Sequence, residues 1–303
     1  MFKRFRPGIL AMLLMAGTLP AHAALKILAT TADWSALATE LGGDKVNVYA
    51  ATTALQDVHR VEAKPSLVAR ARSADLVIAS GAELEIGWLP VLLQESGNAR
   101  IQPGSPGYFE AASQVSMLEV PSQVDRSMGD IHPQGNPHIQ LDPNNIAAIG
   151  KALTAKLSAL DGGNATYYRQ RGEDFQKRWT EAIARWQAKA APLKGLKVVV
   201  IHKDQSYLLH WLGLIEQAAI EPKPGVPPSA GYLAELVSRL SLAKPRMILR
   251  NAYNDPKAVE WLSQRLNVPI AVLPFSVGGS ARAKDLFGLF DDTVDTLLAV
   301  PAP

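Results

Sequence analysis

Short apolar runs alternate with amphipathic segments along the first half of the chain. The runs LKILAT, KVNVYAATT and ADLVIASG (residues 25–30, 45–53 and 74–81) contain β-branched residues and have the length of buried strands. Three other segments repeat their apolar positions at helical spacing and are bounded by Gly or Pro: TADWSALATELGG, KPSLVARAR and AELEIGWLPVLLQESG. This alternation predicts an α/β domain with a mostly parallel sheet.

The second half repeats the alternation after two helical segments. The pattern predicts a helix over 144–160 and a long helix over about 165–191, which would span roughly 40 Å at 1.5 Å per residue. Strands are predicted over 197–202, 246–251 and 270–275, with helices between and after them. The prediction is an α/β protein with two α/β lobes, residues 24–150 and 195–303, joined by a helical connector, residues 151–194.

The first 23 residues read as a secretory signal peptide. Basic Lys3, Arg4 and Arg6 precede an apolar run over 8–19, and Ala21-His22-Ala23 is a small-x-small cleavage site. The apolar run of about a dozen residues is shorter than the roughly 20 that span a bilayer. We therefore expect cleavage after Ala23 and a soluble periplasmic protein.

Composition narrows the class further. The 303 residues are 48% apolar and 19% charged, enough for two packed domains. The chain has no cysteine, which excludes a lipidated N-terminus, disulfides and thiolate metal ligands. The net charge is only +3 and the basic residues are scattered, so no nucleic-acid partner is expected.

Three histidines follow strands or lie in the loops beside them. His59 lies in a loop after the second strand, His138 in GNPHIQLDP, and His202 at the end of KVVVIH. Strand ends of parallel sheets are where ligands bind, so a cleft between the lobes would bring these imidazoles together. Three imidazoles suit Zn²⁺, although spacing alone leaves solvated loop histidines as an equal alternative. His132 stays ambiguous on this pattern, and His210 on an apolar helix is expected to be packed or half-exposed rather than to bind metal.

The motifs around these histidines resemble those of the solute-binding proteins of bacterial zinc and manganese ABC transporters. Three metal-ligand segments of that family are similar to DVHRVEAKPS, NPHIQLDP and IHKDQSYLLHWLGL in this chain. The resemblance covers essentially the whole mature chain. The resemblance implies His59, His138 and His202 as ligands. It also implies two lobes joined by one rigid helix, with the metal in the cleft between them.

One position departs from the family pattern. The family commonly takes a fourth ligand from an Asp in an LDPLG segment, whereas this chain reads VLPFSVGG, without an acidic residue between Glu260 and Asp285. Water, His132 or Glu221 could take the fourth position. The long His-rich insertion of many zinc members is also absent.

The expected function is capture of Zn²⁺ in the periplasm and delivery to an inner-membrane ABC permease, by a monomer that is not an enzyme. Mn²⁺ is the alternative cargo, although Mn²⁺ prefers oxygen ligands. A zinc hydrolase is the rival class, because three histidines and an open position are also a catalytic layout. The chain has no HExxH signature, which disfavours that rival.

Overall fold

Two parallel sheets form the framework of the computed structural model, which describes residues 23–125, 129 and 131–301. In the N-terminal lobe four strands have the order β2-β1-β3-β4 and are all parallel. The helices and strands of this lobe are β1 (Leu25–Ala29), α1 (Ala32–Gly42), β2 (Val46–Ala50), α2 (Pro65–Ser73), β3 (Leu76–Ala79), α3 (Leu89–Ser96) and β4 (Tyr108–Glu110).

The C-terminal lobe repeats this plan. Its strands have the order β6-β5-β7-β8 and are again all parallel. After the connecting helices α4 (Pro143–Leu160) and α5 (Ala165–Ala190), the elements of this lobe are β5 (Lys197–Val200), α6 (Ser206–Leu212), β6 (Ile215–Ala219), α7 (Ala230–Ser241), β7 (Met247–Asn251), α8 (Lys257–Leu266), β8 (Ile270–Leu273) and α9 (Leu286–Ala299). In both sheets the strand order reverses beside the first strand, which creates a crevice at the carboxyl ends of the strands.

Helix α5 is one uninterrupted rod of 26 residues, as the sequence predicts. Its aromatic residues Tyr168, Phe175, Trp179 and Trp186 are buried. Trp179 packs on Phe287 and Phe290 of α9, with ring centroids 4.8 and 5.5 Å apart. The indole N–H of Trp179 also donates to the carbonyl of Pro143 at the start of α4, at 2.7 Å. Because one side chain ties α5 to both neighbours, the rod is held rigidly in the core.

One predicted helix is wrong over its first half. The segment after β3 is a series of turns with positive φ at Ala82 (49°) and Glu83 (65°), and α3 begins only at Leu89. The reason is Glu85, whose buried carboxylate accepts the backbone N–H groups of Ser80 and Gly81 at 2.8 and 3.1 Å. These bonds give the backbone an alternative to the helical pattern.

Two strands have no prediction. Strand β4 has only three residues, and the IEQAA sequence of β6 lacks the β-branched signature apart from its first residue. The signal-peptide prediction falls mainly on residues 1–22, which lie outside the described residues. Among the helices of the described ranges, none combines the length and apolar character needed to cross a bilayer.

Candidate metal centre

His59 is held by an aspartate two residues before it. Both the backbone N–H and Nδ1 of His59 lie near the same Oδ1 of Asp57, at 3.0 and 2.9 Å. This is an Asx turn, in which a short side chain binds the backbone two residues on. The buried indole of Trp88 donates to the carbonyl of Val58 at 3.0 Å and fixes the same loop.

His138 repeats this local motif with an asparagine. Its backbone N–H and Nδ1 both lie 3.0 Å from Oδ1 of Asn136. The amide nitrogen of Asn136 donates to Glu119 at 2.8 Å and to the carbonyl of Lys203 at 2.5 Å. Because Lys203 lies in the C-terminal lobe, the loop that carries His138 is attached to the lobe that carries His202. His138 itself is 2% exposed.

His202 lies two residues beyond β5 and is oriented by a carboxylate from a separate loop. Its Nδ1 is 2.7 Å from Oε2 of Glu221, which also accepts the backbone N–H of Gly225 at 2.8 Å. Glu221 follows β6 at the same edge of the sheet. The sequence left Glu221 as one candidate for the fourth ligand, whereas the structure shows it as a hydrogen-bond partner of His202.

The three imidazoles converge. Their ring centroids are 5.3, 5.9 and 5.7 Å apart, and one nitrogen from each ring lies within 4.8 Å of the others. Each Nδ1 faces an oxygen acceptor, so we assign the proton to Nδ1 and the free lone pair to Nε2. Within the described residues, the Nε2 atoms of His59 and His138 are buried without a hydrogen-bond partner. Such atoms are suited to a metal ion, because ligating histidines use the second nitrogen for an orienting hydrogen bond.

The surroundings shift the pKa values of His138 and His202 in opposite directions. Burial lowers the pKa of His138 well below 6.5, and the neighbouring imidazoles act in the same direction, so this ring is neutral. Burial also opposes the charged form of His202, but the hydrogen bond to Glu221 and the nearby carboxylates outweigh it and raise the pKa of that imidazole. His202 is therefore protonated more readily than His138.

His132 and His210 occupy different places. The ring of His132 lies 5.6 Å from that of His59 and lines a cavity of about 250 Å³ with His138 and His202. His132 is thus beside the group of three, although it is not a member of it. His210 is exposed on α6 rather than packed.

An aromatic side chain follows β8, in the segment where the family pattern has its aspartate. Phe275 is 5% exposed, and its ring centroid is 6.2 Å from that of His138. No carboxylate of the described residues joins the three histidines in the compact ligand group. Asp57 and Asn136 were not selected from the sequence, although both stand two residues before a histidine, and this spacing is the signal that could have identified them.

Comparisons with known proteins agree with this architecture. A family model described as zinc-uptake complex component A, periplasmic, matches residues 27–300. The chain belongs to this family. It is accordingly a substrate-binding protein of a metal ABC transporter.

Relatives of the chain carry different metals in their names. A manganese ABC transporter substrate-binding lipoprotein, PsaA of Streptococcus pneumoniae serotype 4, is 21% identical over 266 residues, covering 86% of this chain and 83% of that protein. An iron ABC transporter substrate-binding lipoprotein, MtsA of Streptococcus pyogenes serotype M1, is 19% identical over 251 residues, covering 81% and 78%. The crystal structure of a zinc-bound ZnuA deletion mutant superposes with a TM-score of 0.77 at 20% identity, covering 92% of this chain and 99% of that one. These likenesses support the two-lobed fold and leave the metal open.

Proposed function

We propose that this protein captures Zn²⁺ in the periplasm and delivers it to an inner-membrane ABC permease, with His59, His138 and His202 as ligands. The observation that supports this most is the group of three nitrogen donors within 4.8 Å of one another. Each of these rings is oriented through Nδ1 by an oxygen acceptor. That is the arrangement of a ligand set assembled before the metal arrives.

The donor set favours zinc over manganese, the metal in the name of the relative PsaA. Imidazole nitrogen suits Zn²⁺, whereas Mn²⁺ is better served by carboxylate, carbonyl and water oxygen. Phe275, in the segment where the family pattern has an aspartate, supplies hydrocarbon beside His138. Manganese is therefore the second candidate cargo, which geometry or metal supply would have to favour against the donor chemistry.

We propose that water or His132 completes the zinc shell. The cavity of about 250 Å³ beside the ligands has room for either. Two carboxylates beside the site, those of Asp57 and Glu221, already accept hydrogen bonds from the proposed ligand imidazoles. A general base for hydrolysis would have to break one of these bonds, which makes the hydrolase the weaker proposal.

We further propose that the mature protein is a monomer that starts at Ala24, with lobes over 24–150 and 195–303. The relatives PsaA and MtsA are named as lipoproteins. This chain has no cysteine to which a lipid could be attached, so we propose that it is exported without a lipid anchor. N-terminal sequencing of the periplasmic protein tests this, and retention of Met1 in a membrane fraction would contradict it.

The zinc proposal is tested by metal content and by removing one ligand at a time. Protein purified from the periplasm is expected to hold about one zinc per chain. His59→Ala, His138→Ala and His202→Ala are each expected to weaken zinc binding at least tenfold in a chelator competition, since tenfold is only about 1.4 kcal/mol. His210→Ala is the matched control, because that imidazole is exposed on α6. Equal losses at His210 and His202 would contradict the proposed ligand set.

A further inference from the structure

The loop after β8 belongs to the C-terminal lobe but is held by the N-terminal lobe. Asp33, in the first turn of α1, accepts the hydroxyl of Ser276 at 2.7 Å and the backbone N–H of Val277 at 2.9 Å. Asp33 is 1% exposed and Ser276 is 6% exposed, so the bond between their side chains is shielded from water. One carboxylate therefore bridges the two lobes.

The residue before this bridge has a strained backbone. Phe275 has φ of 65°, and the N–H of Ser276 donates to the carbonyl of Pro274 at 2.8 Å. A bond between residues i and i+2 with positive φ at the central residue is the rare form of the γ-turn. For a bulky side chain such a conformation persists only when the surroundings enforce it.

The strained turn directs Phe275 toward the proposed metal ligand. Its ring centroid lies 6.2 Å from that of His138 and 5.2 Å from that of Tyr253. The hydroxyl of Tyr253 in turn donates to the buried Asp204, at 2.8 Å. The ring of Phe275 is thus packed between Tyr253 of the C-terminal lobe and the imidazole of His138.

We propose that Asp33 is a positioning residue that keeps Phe275 against His138 and thereby slows the departure of the metal. The inference rests on the proposed function in one respect, namely that His138 binds the metal. The path is continuous: Asp33 holds Ser276 and Val277, these hold the γ-turn, and the turn places the aromatic ring on the ligand. Loss of the bridge lets the turn relax, and the ring then no longer restrains the imidazole.

The choice of a carboxylate at this position supports a role beyond packing. Burial raises the pKa of Asp33 to about 6, although the bonds from Ser276 and Val277 act in the opposite direction. An ionised carboxylate there costs folding free energy at neutral pH relative to a neutral side chain. It nevertheless provides two acceptors at one point, which a small apolar residue cannot do.

The test measures the rate at which Zn²⁺ leaves. The full mature protein is loaded with zinc and mixed in a stopped-flow instrument with excess chelator. Asp33→Ala is expected to speed release about tenfold, with the rate of zinc association changed less than threefold. Asp33→Asn is the matched control, because an amide can still accept from Val277 and donate to Ser276, and it is expected to release zinc at nearly the original rate.

A double mutant separates positioning from a general loss of stability. Phe275→Ala alone is expected to speed release, and adding Asp33→Ala is expected to change that rate by less than twofold, since no ring remains to be positioned. Ser276→Ala, which removes only one donor, serves if Asp33→Ala does not fold, and its smaller effect should vanish in the same way. Independent effects of the two substitutions, or a lower melting temperature with unchanged release, would overturn the inference. A wild-type protein that binds no zinc would instead overturn the proposed function.

Discussion

Replacing Glu221 tests whether the orienting hydrogen bonds matter to metal affinity. Its Oε2 lies 2.7 Å from Nδ1 of His202 and accepts Gly225 N–H at 2.8 Å, so the side chain fixes both the ring and the loop. Removing an orienting partner of a ligating histidine typically weakens metal binding 10- to 100-fold, or about 1.4 to 2.7 kcal/mol. We expect Glu221→Ala to fall in this range for zinc.

Two further variants divide the effect into its parts. Glu221→Gln keeps an oxygen that can accept from Nδ1 and loses only the charge, so its loss should stay under tenfold. Glu235→Ala removes an exposed glutamate of α7 and should leave affinity unchanged. The assay is competition with a chromogenic chelator at constant ionic strength. A Glu221→Ala protein that binds zinc like Glu235→Ala would refute the role of the hydrogen bond.

The pH dependence gives the same experiment a second readout. Although burial lowers the pKa of His202, the bond to Glu221 and nearby carboxylates raise it above 6.5. Protonation of this ring displaces the metal, so wild-type affinity should begin to fall as the pH drops through that raised pKa. Without Glu221 the pKa of His202 is lower, so zinc affinity should begin to fall at a lower pH. The difference in zinc affinity between Glu221→Ala and the wild type should therefore become smaller in acid. A difference that is constant with pH would contradict this assignment.

Two more predictions concern groups at the margin of the site. His132→Ala should weaken zinc binding less than tenfold and slow its capture, because the ring borders the cavity but stands outside the group of three; a loss equal to that of His138→Ala would indicate four histidine ligands. In the apoprotein, the pKa of Asp33 is raised from 3.8 to about 6, so the protonated carboxyl stabilises the fold. This contribution of about 3 kcal/mol to the free energy of unfolding is fully present below pH 3.8 and is lost as the pH rises through 6. Urea titrations from pH 4 to 7 should show this loss relative to Asp33→Asn, and parallel curves for the two proteins would contradict it.

The parts of the fold that follow from the sequence are those with a strong period. The long helix α5 and the buried strands β1, β3 and β5 were predicted because apolar residues repeat there at helical spacing or form short continuous runs. The start of α3 was not predicted correctly, because the carboxylate of Glu85 accepts backbone N–H groups and stabilises turns there instead of a helix. Such competition depends on a buried position that only the tertiary structure creates.

The site divides in the same way. The three histidines that we propose as ligands stand in motifs that the sequence displays, so these residues could be identified before their geometry was known. Asp33 and Phe275 were not, because the bond from Ser276 to Asp33 joins residues 243 positions apart. A γ-turn with φ of 65° at phenylalanine has no local sequence signature, since the conformation is imposed by the neighbouring lobe.

The charges around the proposed ligands would explain how this site, without a ligating carboxylate, holds a divalent ion. Three neutral imidazoles leave the full charge of Zn²⁺ inside a buried cleft, where an uncompensated charge is costly. Asp57 and Glu221 each accept a hydrogen bond from a ligand ring, so two negative charges stand one ring away from the proposed zinc position. They balance the ion without supplying the oxygen donors that Mn²⁺ prefers, because their oxygens are directed at Nδ1. The imidazoles thus determine which metal is preferred, whereas the carboxylates behind them compensate its charge. Substitution of Glu221 should therefore weaken zinc binding without making the site a better one for manganese.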